Sequence, residues 1–184
     1  TINAISGYTG GGKSLITSVE NPAISGHADW PYFIYGLELD HKHVPEIMKW
    51  SCLCHRPLFV PSVGRFSQGM IVQVPLQLWS LPGTPSIGQI HDVLCEHYAG
   101  RRFVNVVNRA SKFAERLEPE ALNGTNELQL HVFANEDYGQ AVLTGVLDNL
   151  GKGAAGQAVQ NLNIIMGLPE ETGLEEKFYK AVVV

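Results

Sequence analysis

The stretch GYTGGGKSL, residues 7–15, decides between two kinds of fold. Gly7, four further residues and then Gly12-Lys13-Ser14 fit the pattern G-x-x-x-x-G-K-[ST], in which a glycine-rich loop wraps the phosphates of ATP or GTP. Such a loop joins a buried strand to a long helix. If the chain does not bind a nucleotide there, the same glycines form a turn that lets the backbone approach another group closely.

The residues around this stretch fit a nucleotide site poorly. An apolar run at residues 2–6 predicts the strand, but residues 13–20 predict a helix of only about two turns before Pro22 ends it. A magnesium-binding aspartate is expected at the end of another apolar strand. Asp148 is the candidate, and Thr144-Gly145 interrupts the strand before it. A small nucleotide-triphosphate-binding protein that uses Gly7–Ser14 is therefore the alternative interpretation.

A second glycine pattern, GKGAAG at residues 151–156, fits the dinucleotide fingerprint G-x-G-x-x-G. It follows an apolar stretch and opens a predicted helix at residues 155–168, which has small and apolar residues on one side. No second parallel strand that ends in an acidic residue follows it. Glycines that let a helix begin against a neighbouring surface explain the pattern equally well.

The rest of the chain predicts strands with helices between them. Further helices are indicated at residues 40–50, where Pro45 suits the first turn, and at 84–100, where Gly100 suits the end. Pro75 predicts an edge strand or a bulge. Strand-like segments lie at residues 32–39, 70–79, 103–107, 128–136 and 140–150. Antiparallel-type strands with intervening helices indicate the α+β class.

Composition narrows the possible functions. The chain has 184 residues, of which 45% are hydrophobic and 17% charged, and a net charge of −5, which argues against a nucleic-acid or anionic-membrane surface. Three cysteines are too sparse for a disulfide framework and suit a reducing compartment. No run approaches the roughly 18 apolar residues of a membrane helix. We expect a cytoplasmic protein, and the start at Thr1, without Met and directly in an apolar run, predicts a part of something larger.

His41 and His43 are the best candidates for proton transfer. They precede a predicted helix N-terminus at Pro45, where the positive end of the helix dipole disfavours imidazolium and keeps a histidine neutral. Glu46 could orient one of the rings. Two surface histidines near a helix cap would give the same pattern. Zinc is not predicted, because the C-x-C spacing of Cys52 and Cys54 is not a common zinc-site spacing.

Several blocks of sequence, taken together, resemble one family. The resemblance is to the N-acetyl-gamma-glutamyl-phosphate reductases of arginine biosynthesis, in their shorter-chain variant. It covers nearly the whole chain in the right order, and its last block is long and specific. The blocks are SGYTGGGK (6–13), YGLELDHKHVPEI (35–47), PSVGRFSQGMIVQVPL (61–76), HYAG (97–100) and DNLGKGAAGQAVQNLNIIMGLPEETGL (148–174).

The resemblance implies a fold and a division into domains. Residues 1–150 would form a catalytic and dimerisation domain with a mixed, mostly antiparallel sheet, like the catalytic domain of glyceraldehyde-3-phosphate dehydrogenase. Residues 151–184 would form a C-terminal helix and tail that pack on a Rossmann cofactor domain. That domain, with NADP and the nucleophilic cysteine of an N-P-G-C-Y-P-type motif, is not in this chain. We therefore expect a homo-oligomer whose catalytic domain is inactive in isolation. The alternative is a non-catalytic oligomerisation module.

The resemblance also implies a reaction and residue roles. A cysteine thiolate attacks N-acetylglutamyl phosphate, phosphate leaves, and NADPH reduces the thioester to the semialdehyde. His41 is the expected acid/base, His43 the second choice and Glu46 the orienting acid. Arg65 is expected either to bind the substrate carboxylate or to form a surface ion pair. Other candidates are Ser6, Gly7, Thr9, Gly10, Lys13 and Tyr35 for the substrate, with Lys13 beside the departing phosphate, and Asn149 and Gly153 for the cofactor.

The two interpretations of Gly7–Ser14 predict different behaviour toward nucleotides. If the glycines form a turn and not a phosphate loop, isothermal titration of the chain with ATP or GTP and magnesium gives no saturable heat. The Lys13→Ala variant then behaves identically. Saturable binding that Lys13→Ala abolishes would establish the nucleotide site instead.

Overall fold

The computed structural model describes residues 1–23, 27–108 and 116–174. Within these ranges seven strands form one sheet. They are β1 (Ile2–Gly7), β2 (Tyr32–Ile34), β3 (Phe59–Gly64), β4 (Met70–Gln77), β5 (Val104–Val106), β6 (Leu128–Asn135) and β7 (Gln140–Leu147). Their order is β2-β3-β1-β4-β7-β6-β5. The pairs β1–β3 and β5–β6 are parallel and the other four are antiparallel, so the predicted mixed, mostly antiparallel α+β fold is confirmed.

The α-helices of the described chain lie close to their predicted positions. They are α1 (Gly12–Glu20), α2 (Val44–Ser51), α3 (Ile87–His97) and α4 (Gly156–Ile165). A capping box fixes the start of α3, where Ser86 and Gln89 exchange side-chain and backbone hydrogen bonds. Pro45 lies in the first turn of α2, as predicted. A turn of π-helix, Gly151–Ala155, connects β7 to α4.

The pleat of the strands divides the sheet into two faces with different surroundings. The inner face carries Ala4, Val72, Leu143 and Val132, which are cross-strand or diagonal neighbours. At one end of this face α3 covers the core cluster of Leu78, Ile87, Val132 and Ala141. The outer face carries the residues of opposite parity. Its end at Ile71 and Val146 packs under Leu122 and Leu117.

Two local predictions need correction. The strand predicted at 32–39 ends at Ile34, because Gly36 has φ +64° and the Leu39 amide donates to its carbonyl to close a turn. β4 lies inside the sheet and not at its edge. β1 accompanies β4 only as far as Gln73, so Pro75 occupies a position where only β7 pairs with the strand.

Asp148, the magnesium candidate of the nucleotide interpretation, is a buried side chain that joins neighbouring loops. Asp148 is fully buried and accepts hydrogen bonds from the Gln68 Nε2 amide at 2.6 Å, the Gly124 amide at 2.8 Å and the Leu150 amide at 2.9 Å. A buried carboxylate needs such donors to offset the loss of water. Asp148 therefore joins three chain segments just after β7. The strand predicted at 140–150 ends at Leu147, because the Leu150 amide donates to the Asp148 carboxylate and closes a turn there.

The glycines of the GKGAAG pattern serve packing. A Cβ on Gly156 would lie 2.3 Å from the Asn126 Oδ1 atom, and one on Gly151 would lie 2.6 Å from the Thr125 carbonyl oxygen. The π-turn and the start of α4 thus pack directly against the Thr125 backbone and the Asn126 side chain, in the loop before β6. The dinucleotide-fingerprint interpretation is unnecessary, because the close approach of two protein segments requires these glycines.

This packing predicts a difference between two glycine variants. Gly156→Ala should lower the free energy of unfolding by about 1–3 kcal/mol, since the methyl group has no space beside Asn126. Gly145→Ala is the control, because its Cβ would meet nothing closer than the Leu128 Cδ1 atom at 3.5 Å, an ordinary van der Waals contact, and a change within about 0.5 kcal/mol is expected. Urea unfolding followed by circular dichroism measures both. Equal stability of the two variants would refute the packing role.

Candidate active site

A cleft of about 640 Å³ opens on the inner face of the sheet, away from α3. Its floor is formed by inner-face residues of β1, β2 and β3: Ala4, Ser6, Phe33, Pro61 and Val63. One wall is the segment that leads into α2, including Tyr35 and His41–His43. The opposite wall is the glycine turn Gly10–Gly12 with Leu15. The segment after β7 closes the third side with Asn149, Leu150, Gly153 and Ala154.

Aromatic packing and the start of α2 hold His41 in the cleft wall. The His41 ring lies edge-on to Tyr35 and Phe59, with centroids 5.6 and 5.2 Å away. The His43 ring is 4.8 Å from it. The Val44 amide donates to the His41 carbonyl, and the Val44 side chain is 1% exposed, so the first residue of the helix anchors the wall.

The backbone sets the protonation pattern of His41. Its Nδ1 atom accepts a hydrogen bond from the His43 amide at 3.2 Å, so the neutral ring carries its proton on Nε2. Partial burial lowers the pKa of His41, and the neighbouring His43 and Lys42 lower it further, against an opposing effect of Glu38. His41 is therefore neutral at physiological pH and can donate a hydrogen bond through Nε2–H.

Burial also raises the pKa of the Tyr35 phenol, which keeps it protonated near neutrality. Tyr35 lines the cleft beside His41, and its amide donates to the Pro61 carbonyl. The two side chains therefore offer two neutral donors on the same wall.

Glu46 is placed away from the cleft. It is exposed in the first turn of α2 and does not line the cleft. The carboxylate that opposes the lowering of the His41 pKa is that of Glu38. Its position in the turn after Gly36 could not be read from the H-x-H-x-P-E pattern.

The charged candidates Arg65 and Lys13 also lie outside the cleft lining. The Arg65 guanidinium bonds to the Asp29 carboxylate and the Ala28 carbonyl oxygen, each at 2.9 Å. Of the two predicted roles for Arg65, the geometry favours the surface ion pair. Lys13 is exposed near the start of α1, and its role beside phosphate stays a prediction.

Hydrogen bonds to the loop between β3 and β4 hold the start of the first glycine turn. The amides of Gly7, Tyr8 and Thr9 donate to the carbonyls of Gly69, Phe66 and Ser67. A Cβ on Gly7 would lie 2.5 Å from the Ser67 carbonyl oxygen, so a glycine is required for this contact. Packing against this loop accounts for Gly7, and nothing in the described residues favours the nucleotide interpretation.

Asn149 connects this turn to the segment after β7. Its Oδ1 atom accepts from the Gly69 amide at 2.7 Å, and its Nδ2 group points to the Thr9 hydroxyl at 3.4 Å. Thr9 in turn donates to the Ser67 carbonyl. The structure therefore brings most predicted site residues to one cleft: Ser6, Thr9, Gly10, Tyr35, His41, His43, Asn149 and Gly153. Gly7, Lys13, Glu46 and Arg65 are not among its lining residues.

Sequence reasoning missed the apolar half of the cleft, formed by Phe33, Phe59, Pro61 and Met70. Their alternation along β2, β3 and β4 was the available signal, and it became informative only once the strand order was known. The thiols of Cys52, Cys54 and Cys95 are exposed and lie outside the cleft. In the described ranges no group of three or more metal-binding side chains could hold an ion. No helix in those ranges has both the length and the apolarity to cross a membrane.

Comparison with known proteins identifies the family. Residues 1–149 match the family model described as "Semialdehyde dehydrogenase, dimerisation domain". The chain belongs to this family. The aspartate semialdehyde dehydrogenase II of Vibrio cholerae has a similar fold, with a TM-score of 0.59 at 15% identity over 90% of this chain and 54% of that one.

Two other relatives are more similar in sequence to this chain than the Vibrio cholerae protein is. The N-acetyl-gamma-glutamyl-phosphate reductase of Trichormus variabilis is 50% identical over 95% of this chain and 56% of its own length. The protein of the same name from Brucella suis is 52% identical over 91% of this chain and 54% of its own length. The predicted resemblance is thereby confirmed. The chain spans about half the length of the curated relatives it matches.

The predicted division at residue 150 stays a prediction, although the family match ends at residue 149. The predicted tail after Leu174 lies outside the described residues. Between residue 150 and Leu174 the domain continues into α4, whose start is fixed by the Gly156 contact.

The hydrogen bond to His41 Nδ1 can be tested with two variants of His43. His43→Pro removes the amide proton at a residue whose φ of −79° suits proline, and His43→Ala removes only the ring. The His43 amide favours the neutral His41 ring, because it needs an unprotonated Nδ1 atom as acceptor. His43→Pro lacks this donor, so the pKa of His41 should be higher in His43→Pro than in His43→Ala. Two-dimensional ¹H–¹⁵N spectra of the imidazoles, recorded against pH, report both the pKa and the tautomer. Identical titrations, or a wild-type ring protonated on Nδ1, would contradict this arrangement.

Proposed function

We propose that this chain supplies the substrate-binding and acid/base half of an NADP-dependent N-acetyl-gamma-glutamyl-phosphate reductase, the activity of its relatives in arginine biosynthesis. The observation that carries the proposal is the meeting of His41, the glycine turn and Asn149 around one cleft. About 50% identity over nearly the whole chain to reductases of that name supports the substrate. The finer parts of the proposal, including NADP and a cytoplasmic site of action, rest on this kinship.

The cleft suits a small polar substrate with an apolar stem. Its volume of about 640 Å³ lies within the roughly 300–1,000 Å³ of small-molecule sites. Phe33, Phe59 and Pro61 offer apolar surface, and the Ser6 and Thr9 hydroxyls and the Asn149 amide offer uncharged hydrogen bonds on the opposite side. An acyl chain would lie along the first group, with its phosphate toward the glycine turn.

In this proposal the thiol comes from a part of the protein that this chain does not contain, since no cysteine of the described residues lines the cleft. The thiolate attacks the acyl carbon, a C–S bond forms, the bond from carbon to the phosphate oxygen breaks, and phosphate leaves. Negative charge grows on the acyl oxygen during this attack. The Nε2–H of His41 would donate to that oxygen and later help to move the proton as the semialdehyde is released.

The residues after β7 fit a nicotinamide cofactor held mainly by another domain. The cleft lining includes Gly10, Gly12, Gly153 and Ala154, none with a side chain larger than a methyl group, which leaves room for a flat ring. Bound there, the cofactor supplies a hydride to the acyl carbon. Asn149 and Gly153 would contact it from this chain's side.

The surface of α4 supports the proposed second domain. Leu162, Ile165 and Met166 are 53, 81 and 63% exposed, whereas the buried positions of the helix include the polar Gln160 and Asn163. This reverses the usual arrangement of an amphipathic helix. We propose that the cofactor domain covers these apolar side chains.

An interaction module without catalysis is the remaining alternative, and the family description as a dimerisation domain suits it. The neutral, tautomerically defined His41 in a cleft favours catalysis, because association alone requires no such group. The nucleotide-binding alternative has no observation in its favour.

A kinetic comparison tests the proposal in the complete gene product that contains this chain. NADP-dependent oxidation of the semialdehyde with phosphate is the assay, read by NADPH absorbance. His41→Asn should reduce kcat by about a hundredfold or more, because proton transfer is lost while substrate contacts remain. His55→Asn, an exposed histidine outside the cleft, is the matched control and should retain wild-type turnover.

Wild-type turnover of His41→Asn would remove His41 from the mechanism. Absence of reductase activity in the unmodified protein, with any N-acylglutamyl substrate, would reject the proposed function itself.

A further inference from the structure

Lys152 lies in the π-turn, Gly151–Ala155, and no step of the proposed reaction uses it. In this turn the Gly153 amide donates to the Asp148 carbonyl, five residues back, at 2.8 Å. Turns of this kind are rare in proteins and often lie at functional sites. Two members of the turn, Gly153 and Ala154, line the cleft. Whatever fixes the π-turn therefore also fixes one side of the cleft.

The Lys152 side chain is half-buried and is not part of the cleft lining. Its Nζ atom donates to the Gln160 Oε1 atom at 2.7 Å and lies 5.7 Å from the centroid of the Phe103 ring. Burial lowers the pKa of Lys152, and the carboxylates of Glu170 and Glu127 oppose this effect. An amine that loses part of its hydration needs such partners, so they define where the side chain lies.

Gln160 connects Lys152 to helix α4 and to the loop before β6. The Gln160 side chain is 8% exposed, and its Oε1 atom also accepts from the Asn126 Nδ2 group at 2.9 Å. Its Nε2 group donates to the Glu170 carboxylate. The carbonyl oxygen of an amide has two lone pairs, so Lys152 and Asn126 together use the full acceptor capacity of Gln160. These bonds satisfy the polar groups on the buried side of α4.

Lys152 stands between two glycines, Gly151 and Gly153. Glycine loses more conformational freedom on folding than any other residue, so a stretch with glycine on both sides needs an anchor to hold one conformation. The Lys152 side chain supplies an anchor between them. Because Gly153 follows directly in the chain and lines the cleft, the network on α4 is connected to the cleft through a single peptide bond.

We propose that Lys152 is a positioning residue, whose ammonium group, bound to Gln160, holds the Gly153 backbone in the cleft wall and thereby sets the affinity for the nicotinamide cofactor. The role rests on the proposed function, because it requires that cofactor in the cleft. Without the ammonium group the cofactor must first order the glycine-flanked stretch, and this ordering lowers its affinity. His41 is on another wall, so the chemistry of the bound state is retained.

Three variants separate this role from a general effect of charge. Lys152→Met keeps the unbranched apolar stem but cannot donate to Gln160. Lys152→Arg keeps the charge and the donors. Lys49→Met is the matched control, because Lys49 is an exposed lysine outside the cleft lining whose Nζ atom lies 4.7 Å from the centroid of the Trp50 ring. It reports what the loss of one cation alone does to the binding of an anionic cofactor.

The complete gene product that contains this chain is the protein to use. Fluorescence titration with NADPH gives the dissociation constant of the cofactor, and steady-state kinetics gives kcat and both KM values. Lys152→Met should raise the dissociation constant of NADPH and the KM for NADP by about tenfold, the effect of losing one hydrogen bond to a charged group. The kcat and the KM for the semialdehyde should change by less than about twofold. Lys152→Arg should recover most of the affinity, and Lys49→Met should behave as the wild type.

An unchanged dissociation constant of NADPH in Lys152→Met would overturn the proposal. An equal loss of affinity in Lys49→Met would also overturn it, because long-range charge would then be the cause. A lowered Tm with kcat and both KM values altered together would reduce Lys152 to a structural role. If circular dichroism shows that Lys152→Met does not fold, Lys152→Gln, which keeps a polar group without the charge, replaces it with the same expected loss.

The unmodified protein distinguishes the two proposals. If it does not bind NADPH, the proposed function is rejected and the role of Lys152 with it. If it binds NADPH and reduces NADP with the semialdehyde, while Lys152→Met matches it in every constant, only the role of Lys152 is rejected.

Discussion

The rest of the site depends on the hydrogen bonds that surround one buried carboxylate. Asp148 is buried from solvent and has no cationic partner among the described residues, so the amide donors of Gln68, Gly124 and Leu150 stabilise it. The next residue, Asn149, then holds the Gly69 amide, and the Gly69 carbonyl holds the amide of Gly7. Through these bonds the end of β7 fixes the first glycine turn, and the turn fixes one wall of the cleft. Both glycine-rich stretches belong to this junction, and close backbone contact accounts for them.

The two faces of one sheet have different surroundings. On the inner face, apolar side chains from β1, β2 and β3 form a floor, and histidine, tyrosine, threonine and asparagine stand around it. This arrangement keeps His41 neutral and gives it a defined proton. The outer face carries uncharged polar side chains, and two of its buried polar atoms, Thr144 Oγ1 and His131 Nε2, have no hydrogen-bond partner among the described residues.

Most of the fold and about half of the site could be predicted from the sequence. Periodicity and Pro45 located the elements and the two histidines, since these signals are local. What could not be predicted depends on residues distant in sequence. The Arg65 guanidinium pairs with Asp29, which lies 36 positions away in the sequence. The turn after Gly36 places Glu38, rather than Glu46, where its carboxylate opposes the lowering of the His41 pKa. A glycine pattern of four or five residues has the same letters whether it faces phosphate or another backbone, so only the packing distinguishes the two.

The central claim is that the glycine turn and His41 are opposite walls of one acyl-phosphate site. Its most direct test is a titration of the isotope-labelled chain with acetyl phosphate, the smallest acyl phosphate, followed by nuclear magnetic resonance. The account predicts that the amides of Gly10–Gly12, the Asn149 side-chain amide and the His41 ring shift along one common saturation curve. Shifts confined to one wall, or different affinities for the two walls, would contradict it.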